Sequence, residues 1–125
     1  MIWTSYFGAV RSKNLPNDKL VSIARWSPRG YLGDQFIWLA PPAELLRSSK
    51  NGLISHEQYI RIYIDQVLAD LDINKVYNYL DGKILLCYER PEDFCHRHIV
   101  AAWFENSNLD CQEYDYNGDK SSWLI

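Results

Sequence analysis

The chain has 125 residues, of which 47% are hydrophobic and 23% are charged, and its formal net charge is −3. This length suits a single domain, and the composition argues against disorder. No apolar run approaches the ~20 residues of a membrane helix, and a general nucleic-acid coat would be basic rather than acidic. Because the N-terminus lacks a basic segment and a cleavage site, we predict a cytoplasmic protein whose three cysteines are reduced.

Two features of the composition are compatible with a ligand site. The 18 aromatic residues (4 Phe, 5 Trp and 9 Tyr) either fill an aromatic-rich core or line a pocket for planar ligands. Basic residues exceed acidic residues by four over residues 1–33, whereas acidic residues exceed basic ones by four over residues 105–125. The basic segment can create a local positive field for a small anion.

The N-terminal third predicts two strands and two loops. β-branched and aromatic residues indicate a first strand over residues 2–7, and a polar segment with Asn and Pro indicates a loop over residues 11–19. The second predicted strand spans residues 20–26. A Pro/Gly loop follows over residues 27–33.

The middle of the chain predicts three helices. The prolines at positions 41 and 42 suit the first turn of a short helix that runs to residue 48. Ser55 begins a capping box, and an apolar i, i+4 stripe follows it over residues 56–70. Asp72 is the predicted N-cap of a third helix.

The C-terminal third predicts a buried strand, a helix and a last short strand. The continuous apolar run at residues 83–88 is typical of a strand that is buried on both faces of a parallel sheet. Asp93 is the predicted N-cap of a helix over residues 94–105, and residues 111–114 predict the last strand. The predicted fold is therefore a compact, single-domain α/β sandwich, in which helices flank a small, mostly parallel, Rossmann-like sheet.

Polar and aromatic side chains collect where the predicted strands end. Ligands of open α/β sheets bind outside the carboxyl ends of the strands. The first turn of the last helix begins at the same edge, and the Pro/Gly loop follows the second strand. The candidate site residues at this edge are Ser5, Tyr6, Arg25, Trp26, Arg29, Cys87, Glu89, Cys95, His96 and Arg97.

Cys95 is the candidate nucleophile. The positive end of the helix dipole and the neighbouring Arg97 predict a lowered pKa for its thiol. The alternative is that Cys95 is a small buried residue, and Asp93 at the N-cap would itself use the free N–H groups. Adjacent residues on a helix also diverge by ~100°, so His96 does not automatically serve as the base for Cys95.

A zinc site is the weaker interpretation of the cysteines and histidines. Cys87, Cys95, His96, His98 and Cys111 do not show the spacing of common zinc motifs. His96 and His98 lie ~200° apart on a helix. The sequence also contains no Gly-x-Gly-x-x-Gly or Walker loop. We therefore predict neither a metal nor a cofactor.

The segment from Leu85 to His98 reads Leu-Leu-Cys-Tyr-Glu-Arg-Pro-Glu-Asp-Phe-Cys-His-Arg-His. It closely resembles the short branch of the bacterial and phage family called domain of unknown function 488 (DUF488). In that family a strand ending in Leu-Cys-x-Glu precedes a helix starting with Cys-His-Arg. Further landmarks of the family resemble residues 4–7, 22–25, 39–41 and 59–71 in the same order.

The resemblance implies a family-like α/β domain at residues 1–105 and leaves residues 106–125 as an acidic extension that includes the last predicted strand. It implies no reaction, because none is established for the family. A nucleotide-like ligand enters by analogy with similar α/β domains. The signature positions that the resemblance carries over are Ser5, Tyr6, Arg25, Cys87, Glu89, Cys95, His96 and Arg97.

We predict that the protein binds a small, phosphate-bearing molecule derived from a nucleotide. Arg25, Arg29 and Arg97 would hold the phosphate. The base would stack on Tyr6, Trp26 or Tyr31, and Glu89 would accept a hydrogen bond from a hydroxyl group. A phage-encoded protein of this kind could sequester a signalling nucleotide.

Two alternatives stay open. The first is a cysteine-dependent hydrolase or transferase acting on a nucleotide-like substrate, with Cys95 as the nucleophile, His96 as the base and Glu89 as an orienting or acid–base carboxylate. The second is a protein–protein interaction module. The sequence also leaves open whether the protein forms a homo-oligomer.

Overall fold

The computed structural model describes residues 1–116, which form a five-stranded sheet whose strands are all parallel. The sheet order is β3-β2-β4-β1-β5. This architecture confirms the predicted α/β class. The strands are β1 (Ile2–Tyr6), β2 (Leu20–Ser22), β3 (Asp34–Gln35), β4 (Ile84–Cys87) and β5 (Cys111–Glu113).

Five α-helices and three other helical segments connect the strands in this part of the chain. The short segments are the 3₁₀ turns Asn17–Lys19 and Ile37–Leu39 and the π-helical segment Ile64–Leu68. None of the helices in residues 1–116 combines the length and the apolar character that a membrane span needs. The α-helices are α1 (Phe7–Ser12), α2 (Ala43–Lys50), α3 (His56–Tyr63), α4 (Ile73–Leu80) and α5 (His96–Glu105).

The apolar run predicted as a buried strand is the central strand β4. All four of its residues are buried, and it pairs in parallel with β1 on one side and β2 on the other. Its side chains alternate between two core clusters. Leu85 packs in the cluster of α2–α5, whereas Ile84 and Leu86 pack with Ala9 of α1. The sheet is therefore covered on both faces, as a parallel sheet requires.

Two of the three N-caps predicted from the sequence are confirmed. The Ser55 side chain accepts from the Gln58 N–H at 3.1 Å, and the Gln58 side chain accepts from the Ser55 N–H at 2.8 Å. The helix that follows is α3, and it continues through the π-helical segment to Leu68. Asp72 caps α4 by accepting from two backbone N–H groups.

Three local predictions differ from the structure. The second strand is shorter than predicted because the chain leaves the sheet after Ser22. Helix α1 begins at the last residue of the predicted first strand and ends inside the predicted loop, and its six residues are too few to show a helical period. Strand β3 was not predicted, because its two exposed residues carry no alternating pattern.

The start of α5 also differs from the prediction. The N-cap is Cys95, whose backbone is extended (φ −156°, ψ 148°), and the first helical residue is His96. Asp93 instead accepts a hydrogen bond from Arg90 at 3.3 Å. The carboxylate of Asp93 therefore pairs with Arg90 and does not cap α5.

The predicted C-terminal strand is confirmed as β5, which pairs in parallel with β1. Glu113 at its end is buried, so the acidic segment is joined to the sheet at this point. Residues 117–125 of the predicted extension lie outside the described residues.

Candidate functional site

A cavity of about 660 Å³ opens at the carboxyl ends of β2 and β4. The chain leaves β2 towards β3 and leaves β4 towards β5, and these strands lie on opposite sides of the pair. Neighbouring strands whose connections diverge leave a crevice, which is the usual ligand position of open α/β sheets. The cavity is lined by residues 24–26, the C-terminal half of α2, the start of α3, residues 87–89 and residues 94–96.

Aromatic rings form much of the cavity wall. The rings of His56 and Phe94 are stacked, with centroids 4.0 Å apart and planes 7° apart. Tyr59 meets Phe94 edge-on at 5.2 Å. The Tyr88 hydroxyl donates to the Trp26 carbonyl at 2.8 Å and so joins the two loops that follow β2 and β4. These rings provide flat surfaces against which a planar ligand can stack.

The charged groups of the wall are two cations and one carboxylate. Arg25 is positioned by its Nε, which donates to the Pro41 carbonyl at 2.9 Å. Lys50, at the end of α2, and Glu89, after β4, are exposed. Among residues 1–116, no acidic side chain forms an ion pair with Arg25 or Lys50. Both cations are therefore available to an anionic ligand.

Two cysteines meet at the inner wall of the cavity. The Sγ atoms of Cys87 and Cys95 are bonded as a disulfide. This pairing differs from the expectation of three reduced thiols, and Cys111 is the buried free cysteine. Cys95 precedes α5 instead of lying in its first turn, and this places its sulfur beside Cys87 at the end of β4.

His96 lies against the same sulfurs. Its Nε2 is 2.8 Å from the carbonyl oxygen of Ile23, and its Nδ1 is 3.8 Å from Cys95 Sγ. Because a carbonyl only accepts, Nε2 carries the hydrogen and the lone pair of Nδ1 faces the sulfur. Burial lowers the pKa of His96 to about 4, so the ring is neutral at pH 7. The expected divergence of Cys95 and His96 does not apply, since Cys95 lies outside the helix.

Arg97 lies behind the cavity wall. It is fully buried and forms two hydrogen bonds with the Glu113 carboxylate, at 3.1 and 2.7 Å. Its Nη1 donates to the Glu89 carbonyl at 2.7 Å and contacts Cys87 Sγ at 2.9 Å. The guanidinium is therefore hydrogen-bonded to other groups of the protein, and it contacts the sulfur of Cys87 rather than that of Cys95.

The cavity gathers six of the ten predicted site residues, and four lie elsewhere. Ser5 is buried within β1, beside Leu86 of β4. Arg29 lines a separate hollow of about 570 Å³ beside α1, and Tyr6 packs in the core cluster on that face. Arg97, the fourth residue outside the cavity, is buried behind its wall. The six residues on the cavity are Arg25, Trp26, Cys87, Glu89, Cys95 and His96.

The structure adds site residues that the sequence analysis missed. Lys50, His56 and Tyr59 come from α2 and α3, which lie between β3 and β4 in the chain. The predicted site consists of residues near the strand ends, and nothing in the local sequence of a helix shows that the helix borders a crevice. Phe94 also lines the cavity, and it was not among the predicted site residues although it is the first residue of the predicted last helix.

One cluster among the described residues has the composition of a metal site. The Sγ atoms of Cys87 and Cys95 and a ring nitrogen of His96 all lie within 4.8 Å of one another. His98 is outside this cluster. Burial lowers the pKa of His98 to about 3, which keeps it neutral.

The fold and the cavity define a Rossmann-like parallel α/β protein with a ligand-sized crevice at its strand ends. The chain matches the family model DUF488-N3a, described as the active DUF488-N3 subclade, over residues 11–108. It therefore belongs to the DUF488 family, a family of unknown function. No curated protein and no solved structure matches the chain significantly.

Proposed function

We propose that the protein binds a small, phosphate-bearing molecule derived from a nucleotide in the cavity between β2 and β4. The observation that carries this proposal is the crevice itself. It combines a volume of about 660 Å³, stacked aromatic rings and two cations that pair with no acidic side chain of residues 1–116, at a position where α/β sheets bind ligands.

The lining residues suggest a division of roles. Arg25 and Lys50 hold the phosphate, because both are cations without an acidic partner in the described part of the chain. Trp26 and the stacked His56–Phe94 pair supply surfaces for the base. Glu89 accepts a hydrogen bond from a ribose hydroxyl. Compared with the sequence-based hypothesis, Lys50 replaces Arg29 and Arg97 in binding the phosphate.

The test compares two arginines. Calorimetry with AMP, ADP-ribose and inorganic phosphate measures the affinity of the parent, of Arg25→Ala and of Arg29→Ala. Losing a charge-assisted hydrogen bond costs about 1.5–3 kcal/mol, so Arg25→Ala is expected to weaken nucleotide binding about 10- to 150-fold. Arg29→Ala, in the hollow beside α1, should bind like the parent. Equal affinity of all three proteins, or no binding to any probe, would contradict the proposal.

A cysteine-dependent enzyme is a second candidate function. The observation in its favour is the 3.8 Å contact between Cys95 Sγ and His96 Nδ1 at the cavity wall. In the reduced protein, His96 Nδ1 takes the thiol proton as the Cys95 thiolate attacks a phosphorus atom of the ligand's pyrophosphate. The bridging phosphorus–oxygen bond breaks, the leaving phosphate takes the proton from His96, and water then hydrolyses the phosphorus–sulfur bond. The matching subclade is described as active, which supports a test of this candidate.

That candidate is tested with reduced protein and ADP-ribose, with mass spectrometry of the products. Cys95→Ser is expected to abolish turnover and to retain binding, whereas Cys111→Ser should retain both. Turnover that persists in Cys95→Ser would exclude the thiol as the nucleophile.

A further inference from the structure

We propose that Cys87, Cys95 and His96, with both cysteines reduced, form a zinc site in the wall of the cavity. The three ligand atoms already lie within 4.8 Å of one another. Thiolate sulfur and imidazole nitrogen are the ligands that Zn²⁺ prefers. The inference is independent of the proposed nucleotide binding.

His96 already has the arrangement of a zinc ligand. Ligating histidines almost always donate the other ring N–H to a carbonyl or carboxylate, which fixes the ring and its tautomer. Here Nε2 donates to the Ile23 carbonyl at 2.8 Å, and Nδ1 faces Cys95 Sγ at 3.8 Å. The ring therefore needs no rotation to bind a metal beside that sulfur.

Cys87 is also supported by residues that would not bind the metal themselves. Arg97 Nη1 contacts its Sγ at 2.9 Å, and Glu113 holds the guanidinium in place through two hydrogen bonds. A donor of this kind stabilises the negative charge of a thiolate. Two thiolates also balance the charge of Zn²⁺, so the buried guanidinium does not face an uncompensated dication.

The backbone spacing leaves room for an ion. The Cα atoms of Cys87 and Cys95 lie 7.6 Å apart. Zn–S bonds of about 2.3 Å in a tetrahedral site separate two sulfurs by roughly 3.8 Å. The two sulfurs can therefore move apart around a zinc ion while β4 and α5 keep their places.

The disulfide and the zinc site are alternative states of the same residues. The phosphorus of a phosphine reductant donates two electrons to the disulfide, and the S–S bond breaks. Water supplies the oxygen of the phosphine oxide and the two protons of the thiols. Zinc then binds as these two protons are released.

The fourth position of the site opens into the cavity. Three protein ligands and one open position are typical of catalytic zinc. All three ligands line the cavity, and Glu89 lines it as well, with Oε2 3.5 Å from Cys87 Sγ. Glu89 is thus placed to hold a zinc-bound water or to complete the coordination.

The experiment uses Co²⁺ as a spectroscopic substitute for Zn²⁺. The full chain is reduced with the phosphine, cleared of metal and titrated with Co²⁺ under anaerobic conditions. We expect one Co²⁺ per chain, tetrahedral ligand-field bands and a thiolate-to-cobalt charge-transfer band that Zn²⁺ removes. Because loss of an outer partner alone costs about 10- to 100-fold in affinity, Cys87→Ser, Cys95→Ser and His96→Ala should each cost at least about 100-fold.

Cys111→Ser is the matched control, since Cys111 is buried outside the cluster. It should bind Co²⁺ like the parent. The absence of a charge-transfer band at one equivalent, or an equal loss in Cys111→Ser, would overturn the proposal.

A second measurement avoids variants that do not fold. Iodoacetamide labelling of the reduced parent, mapped by mass spectrometry, should show that Zn²⁺ protects Cys87 and Cys95. Unchanged labelling of Cys95 with Zn²⁺ present overturns the zinc site and favours the thiol nucleophile. Arg25→Ala should bind Co²⁺ normally, so failure of the nucleotide site and failure of the metal site give different results.

Discussion

At the residue scale, the position of Arg97 is the largest departure from the sequence-based hypothesis. The sequence shows a cation at a helix start, which suggests an anion-binding group. The structure pairs this cation with Glu113, which also accepts from Thr4 Oγ1 at 2.5 Å. Arg97 therefore joins the start of α5 to β5 and β1, and it acts on the cavity only through Cys87 and the Glu89 carbonyl.

Arg97→Ala is expected to destabilise the fold by about 3–5 kcal/mol, because it leaves the Glu113 carboxylate buried and unpaired. Urea unfolding followed by circular dichroism measures this loss. Combining Arg97→Met with Glu113→Leu removes both charges and should recover most of the stability. A single Arg97→Ala variant as stable as the parent would show that the ion pair is not needed.

Cys111 is expected to be unreactive. Burial, together with the charges of Glu105 and Glu113, raises the pKa of its thiol to about 12. At pH 9 only about one molecule in a thousand would then carry the thiolate, whereas a thiol with the ordinary pKa of about 8.5 would be mostly ionised. Iodoacetamide labelling of folded and urea-unfolded protein between pH 7 and 10 tests this. Half-maximal labelling of the folded protein near pH 8.5 would be inconsistent with the burial.

At the scale of single elements, the most reliable predictions are those with strong local signals. The apolar run of β4 and the capping box of α3 were both identified, because each is encoded in a few neighbouring residues. The start of α5 was misplaced by two residues, because Asp93 forms an ion pair with Arg90 instead of capping. This shift moves Cys95 out of the helix and brings its sulfur to Cys87.

Leu85→Asp is expected to abolish cooperative folding. Leu85 is fully buried in the central strand, where an unpaired charge costs several kcal/mol. Leu53→Asp is the control, because Leu53 is 72% exposed. Circular dichroism and urea unfolding of both variants distinguish the two positions. A cooperative Leu85→Asp variant would show that β4 tolerates a charge at its centre.

At the scale of the whole molecule, the C-terminal segment completes the sheet. Strand β5 covers the open edge of β1 and carries Glu113 to Arg97. The family model matches residues 11–108, so this strand lies beyond the matched range. The sequence-based division at residue 105 separates Arg97 from Glu113, which the fold joins in a buried ion pair.

A pair of shortened chains tests the contribution of β5. One chain ends at residue 109 and the other at residue 116, so their difference isolates the last described strand. The shorter chain is expected to be less stable by at least about 3–5 kcal/mol, because it leaves Arg97 buried without its carboxylate. Urea unfolding compares them, and equal stability would mean that β5 is dispensable.

Local patterns in the sequence were enough to predict the α/β class, the central strand, two capped helices and the strand-end location of six candidate site residues. These features depend on local patterns: an apolar run, a capping box and the rule that parallel strands present their carboxyl ends at one edge. Only the folded structure shows the partners of Arg97, the pairing of Cys87 with Cys95 and the positions of Lys50 and Tyr59 at the cavity. Those contacts join residues from separate elements, and their geometry depends on how helices and strands pack, which no short stretch of sequence records.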